Sequence, residues 1–138
     1  MKSIEEFMIP SDIKNINIPD SVTSIGKWAF SYCYSLTNVT IPTGVTHIGD
    51  CAFCDCNGLT SVMIGNNVTS IGWDAFSGCS SLTSVTIPDS VTSIGKCAFD
   101  DCSNLKELAF KGKTFEEVQS MENYPFGVED ESIIRCST

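Results

Sequence analysis

IPDSVTSIGKWAFSYCYSLTNVT, residues 18–40, returns as IPDSVTSIGKCAFDDCSNLKELA over residues 87–109, and two more units of the same 23-residue length fill the space between them. No insertion or deletion interrupts the four copies. Aligned on Ile18, Ile41, Ile64 and Ile87, they share columns of apolar residues: Val22/Val45/Val68/Val91, Ile25/Ile48/Ile71/Ile94, Ala29/Ala52/Ala75/Ala98 and Phe30/Phe53/Phe76/Phe99. Cys33/Cys56/Cys79/Cys102, Leu36/Leu59/Leu82/Leu105 and Val39/Val62/Val85/Leu108 complete the set. A fixed period in the twenties marks units that cannot bury an apolar face alone, so the chain must stack coil on coil into a solenoid.

Each segment of the unit has a local meaning. Residues 36–42, LTNVTIP, alternate apolar and polar side chains, which predicts a short parallel strand with Val and Ile turned inward. Pro19, Pro42 and Pro88 end these strands because proline has no N–H for the ladder. VTSI or VTHI then gives a second short extended piece on the opposite wall, with Thr23, Thr46, Thr69 and Thr92 in an outward file. Gly26, Gly49, Gly72 and Gly95 permit a tight turn. The following x-x-Ala-Phe-x-x-Cys fits one or two helical turns with Ala and Phe inward.

The repeats occupy 92 of 138 residues, leaving 17 before them and 29 after, both the size of a cap on one domain. In residues 1–17, Ile13, Ile16 and Ile18 repeat the strand spacing as a half-repeat. Ser3-x-x-Glu6 is a candidate capping box, with Ile4, Phe7, Met8 and Ile9 laid over the open end. In residues 110–138, Thr114 to Glu117 is a second capping box opening a short helix to about Met121. Residues 123–127, NYPFG, form a turn, and residues 132–136, SIIRC, a last strand.

The segments IPDSVTSIG, AFxxC and SLTSVTIP closely resemble the BspA-type class of bacterial leucine-rich repeat, over residues 18–110. The tail from Lys111 onward resembles the module that often closes such proteins. The resemblance implies a leucine-rich-repeat-like, right-handed α/β solenoid of short parallel strands with short helical turns, four full repeats plus caps. It also implies a non-enzymatic binding scaffold, in some relatives a secreted or surface protein that contacts host proteins; a fragment of a surface adhesin is one form of this.

Composition narrows the function further. With 17 acidic against 8 basic residues, a net charge of −9, the chain lacks the basic footprint that nucleic acid or an anionic membrane surface needs. The first residues contain no apolar run long enough for a signal-peptide core, and nothing later approaches a membrane span. As written the chain reads as cytoplasmic, or as secreted or surface-bound if a leader has been removed.

The eight cysteines divide by the period. Cys33, Cys56, Cys79 and Cys102 share one inward column and read as reduced, small hydrophobic side chains at each coil corner. Cys51, Cys54, Cys97 and Cys136 read as outward free thiols. Cys51-x-x-Cys54-x-Cys56, four residues after His47, has a metal-like spacing, but zinc needs four convergent ligands and Cys56 faces inward. Gly112-Lys113-Thr114 matches the end of a phosphate-binding loop, but the earlier glycine that loop requires falls on Glu107. The acid pairs Asp100-Asp101 and Glu116-Glu117 read as solvated surface. No catalytic residue, metal or cofactor is expected.

Departures from the repeat locate the candidate binding surface. Outward positions are mostly Ser, Thr and Asn, so Trp28, Tyr32, Tyr34 and Trp73 stand out as interface anchors. Trp28 and Tyr32 lie four apart and would share one face of a helical turn. No Lys or Arg falls between Lys27 and Lys96, whereas Asp50, Asp55, Asp74 and Asp89 do. A protein partner, with basic charge to complement this middle, is expected there. Two alternatives stay open: an acidic decoy that blocks a basic nucleic-acid-binding protein, and self-association through an exposed side or end. The strand wall, with Asn38, Ser61, Ser84 and Glu107 outward, is small and polar.

Overall fold

The computed structural model describes residues 3–4, 9–10 and 12–136. Among the described residues, ten short strands form two five-stranded parallel sheets, because the stacked coils contribute one strand to each of two walls. The first sheet runs β1 (Ser3–Ile4), β2 (Ser24–Ile25), β4 (His47–Ile48), β6 (Ser70–Ile71) and β8 (Ser93–Ile94). The second runs β3 (Asn38–Thr40), β5 (Ser61–Met63), β7 (Ser84–Ile87), β9 (Glu107–Phe110) and β10 (Ile134–Cys136). The pairing offset inside the repeat is the sequence period itself, as in Ser24↔His47 and Ser84↔Glu107.

Inward residues are those the columns name. Val22, Ile25, Ala29, Phe30, Leu36 and Val39 and their equivalents form one continuous core. Phe30, Phe53, Phe76 and Phe99 stack nearly parallel, with ring centroids 4.9, 5.2 and 5.4 Å apart. Burying each such ring contributes roughly 1.5–3 kcal/mol. The polar exterior is paired as closely. Thr46, Thr69 and Thr92 each donate a backbone N–H, at 2.8–2.9 Å, to the carbonyl of the threonine one coil earlier. Their hydroxyls reach the same carbonyls at 3.1–3.4 Å.

The third wall differs from the expectation. Among the described residues the only α-helix is α1 (Phe115–Gln119) in the carboxy-terminal region; the x-x-Ala-Phe-x-x-Cys segments are successive turns. The physical reason is a competing ladder. Trp28, Phe30 and Tyr32 send their N–H groups to the carbonyls of Asp50, Ala52 and Cys54 on the next coil, at 3.0, 2.7 and 2.8 Å. Only the alternate residues Ala29, Ser31 and Cys33 bond locally, each three residues back, so no i→i−4 helix forms.

The glycine column opens the turns, as expected, but glycine is needed there for another reason. None of Gly26, Gly49, Gly72 and Gly95 has positive φ. A Cβ on Gly95 would lie 2.2 Å from the Trp73 backbone nitrogen, and one on Gly72 2.5 Å from that of Asp50. Close coil-to-coil approach excludes a side chain there.

The ends follow the sequence in part. Thr114 caps α1 with a complete capping box: its hydroxyl accepts the Glu117 N–H and the Glu117 carboxylate accepts the Thr114 N–H. Residues 122–127 form turns, and β10 covers residues 134–136 of the expected last strand. At the amino end Ser3 lies in β1, not at a helix start; Glu6, Phe7 and Met8 fall outside the described residues. Residues 13–18 form no strand, although Thr37 N–H donates to the Lys14 carbonyl at 3.3 Å as Thr60 does to Thr37, and Ile13 and Ile16 pack on the core.

Candidate interaction surface

The turn wall carries every site residue expected from the sequence. Two columns along it have positive φ: Trp28 (63°), Cys51 (56°), Asp74 (55°) and Cys97 (61°) in one, and Tyr32 (62°), Asp55 (59°), Gly78 (78°) and Asp101 (56°) in the other; Tyr34, Asp50 and Trp73 lie beside them. Each column residue is the third residue of a four-residue turn, as in Gly26–Ala29, closed by the Ala29 N–H on the Gly26 carbonyl at 3.3 Å. That is the position where a type II turn requires left-handed backbone. A non-glycine residue there costs about 1–2 kcal/mol, which the cross-coil bonds offset. The asparagine-like preference of this region explains why Asp recurs in both columns, and Gly78 was the sequence signal for it.

The helical face expected for Trp28 and Tyr32 is therefore absent. Tyr32 instead meets Tyr34, with ring centroids 6.2 Å apart and planes tilted by 59°. Both rings are exposed, as is Trp73 at 49%, whereas Trp28 is half-buried. Trp28 and Trp73 stand two coils apart, roughly 10 Å at the strand spacing. Asp50 joins them: its carbonyl accepts the Trp28 N–H, and its Oδ1 accepts the Trp73 N–H at 3.1 Å.

Asp50 is thus part of the scaffold as well as of the acidic surface. Its other oxygen lies 3.8 Å from the Lys27 ammonium. Asp74 has its carboxyl pushed above the ordinary value, first by burial and then by the like charges of Asp100 and Asp50. Asp55 raises the Tyr32 hydroxyl in the same way. Asp50, Asp74 and Asp100 thus lie within electrostatic reach of one another along the wall, with Lys27 beside Asp50.

Beside these acids, Trp73 forms the rim of a shallow groove of about 480 Å³. Its floor is His47, Ser70 and Ser93, and Glu122 and Asn123 close it. His47 Nδ1 lies 2.7 Å from the Ser70 hydroxyl on the next coil, a pair that spacing within one unit did not reveal. Lys27 and Glu122 are further members of this surface that the sequence did not single out, since nothing in the repeat places residue 122 next to coil three. On the other strand wall, Met63 is 66% exposed and stands alone among small neighbours.

The thiols respond to burial and to their neighbours, and in the enclosed corner column the Cys56 thiol beside Cys33 lowers that of Cys33. Cys51 is buried, not outward, and its thiol is pushed up by burial and then by Asp74. Cys54 is raised to about 12 by burial and then by Asp55. In the corner column, Cys56, Cys79 and Cys102 donate their thiols to the carbonyls of Phe30, Phe53 and Phe76 at 2.9, 3.2 and 3.1 Å. All eight cysteines are free. Among the described residues, no group of three or more His, Cys, Asp or Glu side chains converges on a metal position. No helix among them is long and apolar enough to cross a membrane.

Comparison with known proteins adds to this geometry. Residues 3–128 match the BspA type leucine rich repeat region in six copies, which extends the repeat into both flanks. No curated protein matches the chain. A leucine rich cell surface protein from Faecalibacterium prausnitzii A2-165 is 27% identical with a TM-score of 0.78, over 97% of this chain and 35% of that one. A leucine rich repeat protein from T. pallidum is 27% identical with a TM-score of 0.73, over 78% of this chain and 51% of that one. A third, from Bacteroides capillosus ATCC 29799, is 30% identical with a TM-score of 0.58, over 80% and 77% of the two chains. The chain thus spans about a third of the length of the first of these proteins and half of the second.

Proposed function

The chain belongs to the BspA-type leucine-rich repeat family, and from that premise we propose that it is a non-catalytic module that binds a protein partner through its turn wall. The observation that carries this reading is the grouping of Tyr32, Tyr34 and Trp73, three of the five exposed large apolar side chains among the described residues, with acids on one wall; Met63 and Phe115 lie elsewhere. Rigid aromatic side chains lose little conformational freedom on binding, and their neighbours exclude water around them. Asp55 and Asp74 give the surface a negative outline that favours a partner with Lys or Arg at the contact. The likeness to a leucine rich cell surface protein favours a surface location, in an adhesin-like role, over the cytoplasmic one.

The test is capture by the immobilised chain from host extracellular and cell-surface protein, with Trp28→Ala/Trp73→Ala beside it and at two salt concentrations. Each tryptophan is expected to account for about 1–2 kcal/mol of the binding. A partner held equally well by the double variant would overturn the assignment of the turn wall. A nucleic-acid-binding protein released by moderate salt alone would indicate charge mimicry instead, because exposed charges are screened within about 10 Å at 0.1 M.

A further inference from the structure

The last coil is covered less completely than the others, and the reason lies in chain length. Between the third and fourth coils, Phe76 donates its N–H to Ala98 and Val85 pairs with Leu108, so the nine residues 99–107 build the corner between. Between the fourth coil and the closing segment, Phe99 donates to Phe126 and Leu108 pairs with Ile134, which leaves only the seven residues 127–133. Two residues are missing from the corner. The closing segment therefore has no counterpart of the Cys-x-x-Leu that fills this place in every interior coil.

A cavity of about 380 Å³ results. Phe99, Cys102, Leu105, Val128 and Ile133 give it an apolar lining. Cys33, Cys56 and Cys79 are fully enclosed, but Cys102 is partly open, and Leu105 keeps 8% of its surface where Leu36, Leu59 and Leu82 keep none. The ladder also stops here. Tyr32, Asp55 and Gly78 give their N–H groups to carbonyls on the following coil, whereas Asp101 N–H meets no acceptor among the described residues. The carbonyls of Phe30, Phe53 and Phe76 receive thiols from the following coil, and Phe99 has no such neighbour. Asp101, Glu129 and Asp130 stand at the mouth against Lys106.

We propose that this cavity is a peptide-docking slot, separate from the aromatic surface of Tyr32, Tyr34 and Trp73 on the turn wall. Its ligand is a short segment of a partner protein that carries a small apolar residue followed three positions later by leucine, with basic residues beside it. The molecule itself shows the fit, because Cys56-x-x-Leu59, Cys79-x-x-Leu82 and Cys102-x-x-Leu105 fill the equivalent space at each interior junction. The docked segment continues the coil: its backbone supplies the acceptor for Asp101 N–H, its small residue covers Cys102, and its leucine lies over Leu105. The acids at the mouth select the basic flank.

The probe is a fluorescein-labelled peptide RRFSGASSL, which copies residues 76–82 with alanine in place of cysteine behind two arginines, added to the whole chain. Fluorescence anisotropy should saturate. Replacing the peptide's leucine by aspartate should weaken binding by about tenfold or more, the cost of losing a buried apolar anchor. Ser103→Trp, which fills the mouth, should abolish binding while leaving the circular dichroism spectrum unchanged. Bound peptide should also slow maleimide labelling of Cys102, a readout that needs no variant. Equal affinity for the aspartate peptide, or labelling of Cys102 at its free rate under saturating peptide, overturns the proposal. Peptide-free dimers that protect Cys102 would assign the slot to a second copy and overturn it also.

Discussion

The turn wall and the strand walls are built from the same 23-residue unit, yet their outward residues vary in different ways. On the strand walls a side chain is part of the scaffold. Thr46, Thr69 and Thr92 donate hydroxyls to the carbonyls of the preceding coil, and Thr60 reaches the Thr37 carbonyl at 2.9 Å. On the turn wall the coil-to-coil bonds are made by backbone N–H groups, as from Phe30 to Ala52 and Phe53 to Ala75. The outward side chain there is released from ladder duty, with Asp50 the exception. Where structure does not hold a position to a small hydroxyl, Trp, Tyr, Cys and Asp can replace it, and that freedom is where a binding surface can be written.

The largest way to break this contrast is from beneath. Phe76→Ala removes one ring from the stack under the turn wall and should cost about 3–5 kcal/mol, read from denaturant unfolding. Met63→Ala, on the exposed strand surface, should change stability by less than about 0.5 kcal/mol. If the two variants unfolded alike, the stack would not be what fixes the turn wall. A smaller effect is expected at the close approach between coils. Gly95→Ala sets a methyl group against the Trp73 nitrogen and should cost about 1–3 kcal/mol, while Ser84→Ala on the strand wall stays near wild type.

The smallest effect concerns charge. Asp74 has its carboxyl raised above the usual value by burial and by Asp100 and Asp50. A raised folded pKa means that the folded state holds the proton more tightly than the unfolded one. This contribution to stability is present at low pH and is lost as pH rises from the ordinary carboxyl value through the folded one. Asp74→Asn should therefore gain slightly over wild type above that range and show no gain below it. A gain that persisted at low pH would point to packing instead of charge.

Much of this molecule was legible in its sequence. The columns of Val, Ile, Ala, Phe and Leu are read directly as the core, because a period without insertions forces equivalent residues to stack. The capping box at Thr114 and Glu117 is equally local. What could not be read were features set by the neighbouring coil. The turn wall looked helical because Ala-Phe-x-x-Cys suits a helix in isolation, and only the stacked partner supplies acceptors that draw Trp28, Phe30 and Tyr32 away from it. Gly95 opens a turn, as expected, but what demands glycine there is the close approach of the Trp73 backbone. The surface was read by type but not by neighbour. Tyr32 meets Tyr34 and not Trp28, Asp50 is half structural, and Glu122 returns from the closing segment to the rim of a groove beside Trp73.

Binding on the turn wall and not on the strand walls is the central claim. The most direct test compares the affinity of one captured partner for two variants, Trp28→Ala/Trp73→Ala on the turn wall and Met63→Glu on the strand wall, each shown to unfold like wild type. A loss of about 2–4 kcal/mol is predicted for the tryptophan pair, and wild-type affinity for Met63→Glu. Binding that survives the first substitution and fails with the second would contradict the claim.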